Sequence, residues 1–175
     1  MIQILPFIER DELFMKRKVI YPGTFDPITN GHLDIILRAH ELFGQVEVVI
    51  AQNPRKTPLF TVEERKKHIL ESVKGKKGIT VSSHVGLMVD YVKENKKALF
   101  IRGLRVLSDF EYELQLALTN RRLNPNIDTV FLMPTEQHIF LSSSMIRDIM
   151  QFHGKVRDFV PLPVYEAIKR RKNVK

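Results

Sequence analysis

From Lys18 onward the chain alternates short apolar runs rich in β-forming residues with longer stretches whose apolar residues recur at helical spacing. Such alternation is the pattern of βαβ units and a parallel sheet. Five strands are expected, near Lys18–Tyr21, Val46–Ala51, Ile79–Ser83, Ala98–Arg102 and Thr129–Met133. Each is short and mostly apolar, as strands are when helices cover both faces of a sheet. Helices are expected near Gly31–Phe43, Val62–Val73, Leu87–Asn95, Leu107–Leu123, Ser143–Phe152 and Pro163–Arg171. In the first, Leu33, Ile36 and Leu37 make an apolar stripe and Gly44 supplies the stop. The second opens on Thr61 with Glu64 three residues later, a capping box. The fold class this predicts is α/β, a single-domain doubly wound five-stranded parallel sheet.

Composition narrows the chemistry. At 175 residues, 43% apolar and 27% charged, the chain suits one packed domain and excludes disorder. It has no cysteine, which removes disulfides, thiolate metal sites and a catalytic thiol together. No apolar run is long enough to span a membrane and no signal-peptide pattern opens the chain, so a soluble, cytoplasmic protein without membrane partners is expected. The net charge of +8 favours anionic partners without choosing among nucleic acid, a membrane surface and a phosphorylated small molecule. Nucleic acid is the poorer choice, because no basic run is interleaved with stacking aromatics and tryptophan is absent. The dispersed His40, His68, His84 and His153 lack zinc-ligand spacing, so no metal is expected on protein side chains.

In an open parallel sheet, ligands meet the loops beyond the carboxyl ends of the strands. The loop after the first strand runs from Tyr21 to His32, with glycines at 23 and 31 and a helix starting at its end. Close backbone approach and a positive helix terminus outline a phosphate site. His32, in the first helical turn, could donate to a phosphoryl oxygen, could pack under the loop, or could be a plain cap. Lys56, in a loop stiffened by Pro54 and Pro58, reads equally as a phosphate ligand or a solvated lysine. Arg102 and Arg105 flank Gly103 at the end of the fourth strand, where guanidinium forks suit phosphate; alternatively they pair with Asp109, Glu111 or Glu113. Leu87 and Met88 follow the third strand and suit either an apolar ligand arm or the core. Ser142, Ser143 and Ser144 precede a helix, where an N-cap and a phosphate site are compatible readings.

Gly23-Thr24-Phe25-Asp26-Pro27 followed by Thr29-Asn30-Gly31-His32 resembles the signature of the nucleotidyltransferase superfamily, (His or Thr)-x-Gly-His. Within it the chain resembles the phosphopantetheine adenylyltransferases from Lys16 to about Arg170, through Tyr21–His32, Asn53–Phe60, Ile101–Arg105, Asp109–Glu113 and Phe140–Ser144. The resemblance implies a Rossmann-like nucleotidyltransferase fold and transfer of the adenylyl group of ATP to 4′-phosphopantetheine, giving dephospho-coenzyme A and pyrophosphate in coenzyme A synthesis. It implies Thr24, Lys56 and His32 as catalytic residues, His32 stabilising the transition state. ATP would be held by Thr24, Phe25, His32, Gly103, Leu104, Arg105, Glu113, His138, Ile139, Phe140, Leu141, Ser142, Ser143 and Ser144, and phosphopantetheine by Thr24, Lys56, Met88 and Arg102. His138 and Ile139 stand where the family commonly has an aromatic residue and a serine. The resemblance further implies magnesium arriving with ATP, a homohexamer, and feedback inhibition by coenzyme A. Other members of the superfamily, acting on nicotinamide mononucleotide or using CTP, are the nearest alternatives. Residues 1–14 precede the resemblance and are expected to be a dispensable extension of a domain spanning 15–175, unless Ile2, Ile4, Leu5, Phe7 and Ile8 cover the core or an assembly interface.

Overall fold

The structure, a computed structural model, describes residues 17–54, 57–92, 96–105 and 107–172. The expectation about residues 1–14 and the position of Lys56 lie outside them. Five parallel strands form the sheet: β1 (Lys18–Gly23), β2 (Val46–Gln52), β3 (Ile79–Val85), β4 (Ala98–Gly103) and β5 (Ile127–Leu132). Their spatial order is β3-β2-β1-β4-β5. The chain therefore winds outward from β1 to one edge, returns, and winds from β4 to the other. The reversal between β1 and β4 leaves a crevice beyond their carboxyl ends.

Alternation along the strands sorts side chains to the two faces. Val19, Tyr21, Val48, Ile50, Leu99 and Ile101 enter the larger core, while Ile20, Val49, Ala98 and Phe100 enter a smaller one. Four helices close the first face: α1 (Asn30–Phe43), α2 (Val62–Ser72), α5 (Ser143–Gln151) and α6 (Leu162–Lys172). They bring Ile35, Ile36, Ile69, Ile146, Val164 and Ile168 to that core. On the second face the one-turn helix α3 (Met88–Tyr91) contributes Val89, and α4 (Leu107–Leu123) follows β4.

Local chemistry explains the element ends. Gly44 takes φ +73° and its N–H closes on the His40 carbonyl at 2.8 Å, ending α1 where expected. Thr61 and Glu64 form the anticipated reciprocal cap, with the Glu64 carboxylate accepting from Thr61 N–H at 2.8 Å and the threonine hydroxyl from Glu64 N–H at 3.2 Å. Two expectations need correction. Of the helix foreseen over Leu87–Asn95, the described residues form helix over Met88–Tyr91, and Val92 leaves the helical region with ψ 111°. The fifth strand starts at Ile127, two residues before the expected Thr129. Its polar Asp128 breaks the apolar run but is held by Arg17 Nη1 at 2.7 Å.

Candidate active site

The loop between β1 and α1 is fastened on every side. Phe25 sits at φ +48°, a conformation costly for a bulky residue, and its buried ring lies edge-on to Tyr21 and to His32, each at 5.3 Å. Gly23 makes room for that ring: a Cβ there would lie 2.7 Å from it. The Asp26 carboxylate, buried, accepts from the N–H groups of Leu59 and Phe60 at 2.8 and 2.9 Å. Arg147 of α5 donates to the Asp26 carbonyl at 2.6 Å, Ser143 Oγ to the Pro27 carbonyl at 2.8 Å, and Arg65 of α2 to the Thr24 carbonyl at 2.9 Å. Strain at Phe25 persists because so many neighbours define the loop.

Thr29 caps α1. Its hydroxyl accepts from His32 N–H at 3.3 Å, and its own N–H donates to His32 Nδ1 at 3.1 Å. This is a capping box with histidine in the place usually taken by glutamate or glutamine. With Nδ1 accepting, the neutral imidazole carries its proton on Nε2. Burial first, and then the charges of Arg105 and Arg102, push the His32 pKa down to about 4. At neutral pH His32 is thus an uncharged N–H donor.

A cavity of about 360 Å³ opens beyond β1 and β4, at the point where the strand order reverses. Of the expected residues it gathers Thr24, Phe25, His32, Arg102, Gly103, Arg105, Glu113, His138, Leu141, Ser142, Ser143 and Ser144. Arg102 Nε and Nη2 donate to the two Glu113 oxygens, both at 2.6 Å, and Nη1 to the Pro22 carbonyl at 3.0 Å. Among the pairings left open by the sequence, that of Arg102 with Glu113 is made. Arg105 Nη1 donates to the Leu141 carbonyl at 3.2 Å. Ser142 caps α5 by accepting from Met145 N–H at 3.1 Å, and its hydroxyl lies 3.0 Å from that of Ser144. The absence of a side chain at Gly31 lets the His138 carbonyl approach the start of α1, where a Cβ would lie 3.1 Å from it. Asp34 of α1 anchors the same segment by accepting from Thr135 N–H at 2.6 Å.

Four expected residues stand back from this cavity. Leu104 extends the β4–β5 pairing through its N–H to the Leu132 carbonyl at 2.9 Å. Met88 packs against the smaller core. Ile139 is not on the cavity wall, and Phe140, largely exposed, sets its ring edge-on to Phe159 at 6.0 Å. A second hollow, about 680 Å³, shares Thr24 with the first and is lined by Asp26, Asn53, Pro54, Thr57 and Val85 among others. Arg147 lines both hollows and Arg65 the second; neither stands out in the sequence, where each is one arginine of an amphipathic helix.

A family model described as Cytidylyltransferase-like matches residues 20–149. A curated relative named phosphopantetheine adenylyltransferase, from Thermodesulfovibrio yellowstonii, is 50% identical over 159 residues, covering 90% of this chain and 98% of the relative. Another of that name, from Clostridium tetani, is 49% identical over 156 residues, 89% of this chain and 98% of its own. Among solved structures, a bifunctional NMN adenylyltransferase/ADP ribose pyrophosphatase from Francisella tularensis superposes with a TM-score of 0.66 over 90% of this chain and 50% of its own, at 12% identity. That last likeness bears on the fold alone. With about half of the aligned residues identical along nearly the whole length of such relatives, and with the signature loop on the wall of the cavity at the strand reversal, the chain belongs to the phosphopantetheine adenylyltransferase family.

Proposed function

We propose that this chain transfers the adenylyl group of ATP to 4′-phosphopantetheine, forming dephospho-coenzyme A and releasing pyrophosphate. The observation that carries the reading is the cationic, donor-lined cavity at the strand reversal, where His32, Arg102, Arg105 and the start of α5 converge. In the reaction a phosphate oxygen of the acceptor attacks the α-phosphorus of ATP as the bond to pyrophosphate breaks. The nucleophile is already an anion, so no strong base is required and catalysis consists of positioning and charge stabilisation. A neutral His32 fits this role, since it donates a hydrogen bond and takes no proton.

In this reading Thr24 and His32 hold the α-phosphate side, Lys56 and Arg102 the attacking phosphate, and Ser142–Ser144 with the free amides of α5 the departing pyrophosphate. The two hollows meeting at Thr24 provide space for two substrates. Met88, Leu104, Ile139 and Phe140 would contribute through the outer parts of the substrates. Magnesium would be carried by the nucleotide phosphates, whose oxygens suit it. Among the described residues no cluster of His, Asp and Glu forms a metal cage, and Glu113, the carboxylate on the cavity wall, is held by Arg102. Assembly into a homohexamer is supported by α4, which exposes Phe110, Tyr112, Leu114 and Leu118. Coenzyme A, which contains the product, would inhibit by occupying the same hollows. A cytoplasmic location agrees with such substrates, and no helix among the described residues is long and apolar enough to cross a membrane.

The test is pyrophosphate release from each nucleoside triphosphate paired with 4′-phosphopantetheine, nicotinamide mononucleotide or an alcohol phosphate. Release specific to ATP with 4′-phosphopantetheine is expected; release with another pair alone would overturn the reading.

A further inference from the structure

The last helix reaches the catalytic loop from a distance. Arg171 of α6 donates through Nη1 to the Leu59 carbonyl, and through Nη2 to the two Glu64 carboxylate oxygens at 2.8 and 2.9 Å. The same guanidinium lies 4.3 Å from the centre of the buried Phe60 ring. One planar group therefore holds a carbonyl, a ring and a carboxylate of the junction that leads into α2.

That junction is also one of the anchors of the catalytic loop, beside Arg147 and Ser143 of α5. The N–H groups of Leu59 and Phe60 are the two donors on the Asp26 carboxylate. Glu64, the other end of the clamp, completes the cap of α2, and Arg65 beside it donates to the Thr24 carbonyl at 2.9 Å. Asp26 is thus held in part by a peptide segment whose outer side is gripped by Arg171, and Thr24 by the α2 residue next to Glu64. Arg171 lines neither hollow around Thr24 and lies beyond residues 20–149 that match the family model. With both partners close to half exposed, its ion pair with Glu64 adds little to stability, so the consequence of the arrangement is positional.

We infer that Arg171 is a positioning residue for adenylyl transfer, acting through the Leu59–Phe60 peptide and Asp26 to hold the Thr24–His32 loop. The inference rests on the function proposed above. Loss of the clamp should loosen the geometry in which Thr24 and His32 meet the α-phosphate while leaving both binding surfaces in place, so kcat should respond more than KM.

Arg171→Ala and Arg171→Lys, in the full chain, provide the test. With ATP and 4′-phosphopantetheine at a temperature well below the thermal midpoint, kcat should fall about tenfold in each, since small misplacements at a reacting centre cost one to two orders of magnitude. KM for both substrates should stay within about threefold, the signature of an interaction that matters in the transition state. Millimolar guanidinium ion should restore Arg171→Ala, and methylammonium should not, because only the planar donor fork can span the three groups. In the free protein, amide exchange measured by mass spectrometry should rise at 57–60 and 24–29 in the variants and stay unchanged in β4. Wild-type kcat in both variants, or a loss that follows the unfolded fraction and is not rescued, would overturn the inference. The exchange measurement separates the two readings: if the wild type fails to turn over these substrates, a rise confined to 57–60 leaves Arg171 a local clamp only, and a rise reaching 24–29 supports its hold on the loop.

Discussion

Arg102 and Glu113, expected to serve different substrates, are bonded to each other through two contacts of 2.6 Å. Burial alone would depress the guanidinium, but its bonds to Glu113 hold it above its ordinary value, so it stays charged. Three of the five N–H groups that a guanidinium carries are engaged, on Glu113 and on the Pro22 carbonyl, so its plane is fixed before any anion arrives. Arg102→Ala should therefore weaken 4′-phosphopantetheine at least about tenfold, the loss expected for a charge-assisted contact, while ATP affinity stays within about threefold. It should also strand the Glu113 carboxylate, lowering the thermal midpoint, and Arg102→Ala/Glu113→Gln should recover part of that loss. Calorimetric titration of each ligand and a thermal scan of the three proteins check this. Loss of ATP affinity with phosphopantetheine affinity retained would invert the assignment.

His32 closes the cap of α1 and lines the cavity, where the proposed function makes its Nε2–H a donor to phosphate, and substitutions can part the two. His32→Ala removes both, and turnover should fall about 10²–10³-fold, as for loss of one donor to a developing charge. His32→Glu can still accept from Thr29 N–H but has no N–H to donate, so its thermal midpoint should lie nearer to wild type than that of His32→Ala while its turnover is equally poor. Steady-state rates and thermal scans of the pair decide it. Turnover within about threefold of wild type for either protein would contradict the donor role.

The same histidine sets an acid limit. Its pKa is about 4 in the folded chain and near 6.5 when unfolded, so between those values the unfolded state binds the extra proton. The contribution of His32 to stability is complete above about pH 6.5 and is lost as the pH falls toward 4. Proton–nitrogen NMR should find the His32 ring neutral, protonated on Nε2, at pH 5.5, where an exposed histidine is mostly charged. Turnover should show no transition near pH 6.5 arising from His32. A ring that titrates near 6.5 in the folded protein would refute the buried-donor picture.

The parts of this architecture legible in sequence were those encoded locally. Strands of a parallel sheet are continuous apolar runs, so four of the five began where expected, and only the polar Asp128 displaced the fifth. The Thr61–Glu64 cap was readable because it has the usual residue types, whereas at the start of α1, with histidine in the third helical position, a cap was one of several open readings. Contacts made by the fold itself were not readable. Asp26 looks like an ordinary loop acid until Leu59 and Phe60, over thirty positions later, supply its two donors. Arg102 had three candidate acids, and only the meeting of the β4 end with α4 selects Glu113.

Gly23 offers a test of the β1–α1 loop that leaves every polar group in place. It ends β1 on the cavity wall, and a methyl group added there would lie 2.7 Å from the Phe25 ring and close to 3 Å from two more of its carbons. The ring cannot retreat, because it is buried between Tyr21 and His32. Overpacking of this kind costs about 1–3 kcal/mol, so Gly23→Ala should fold with a midpoint lowered by several degrees. Since the displaced ring bears on His32, turnover should fall about tenfold or more even where the protein is fully folded. Gly23→Ala/Phe25→Leu, which trades the ring for a smaller side chain, should recover midpoint more than rate, because the edge-on support of the imidazole is then gone. Thermal scans and initial rates of the two variants test the coupling. A Gly23→Ala protein with wild-type turnover would show that His32 does not take its position from Phe25.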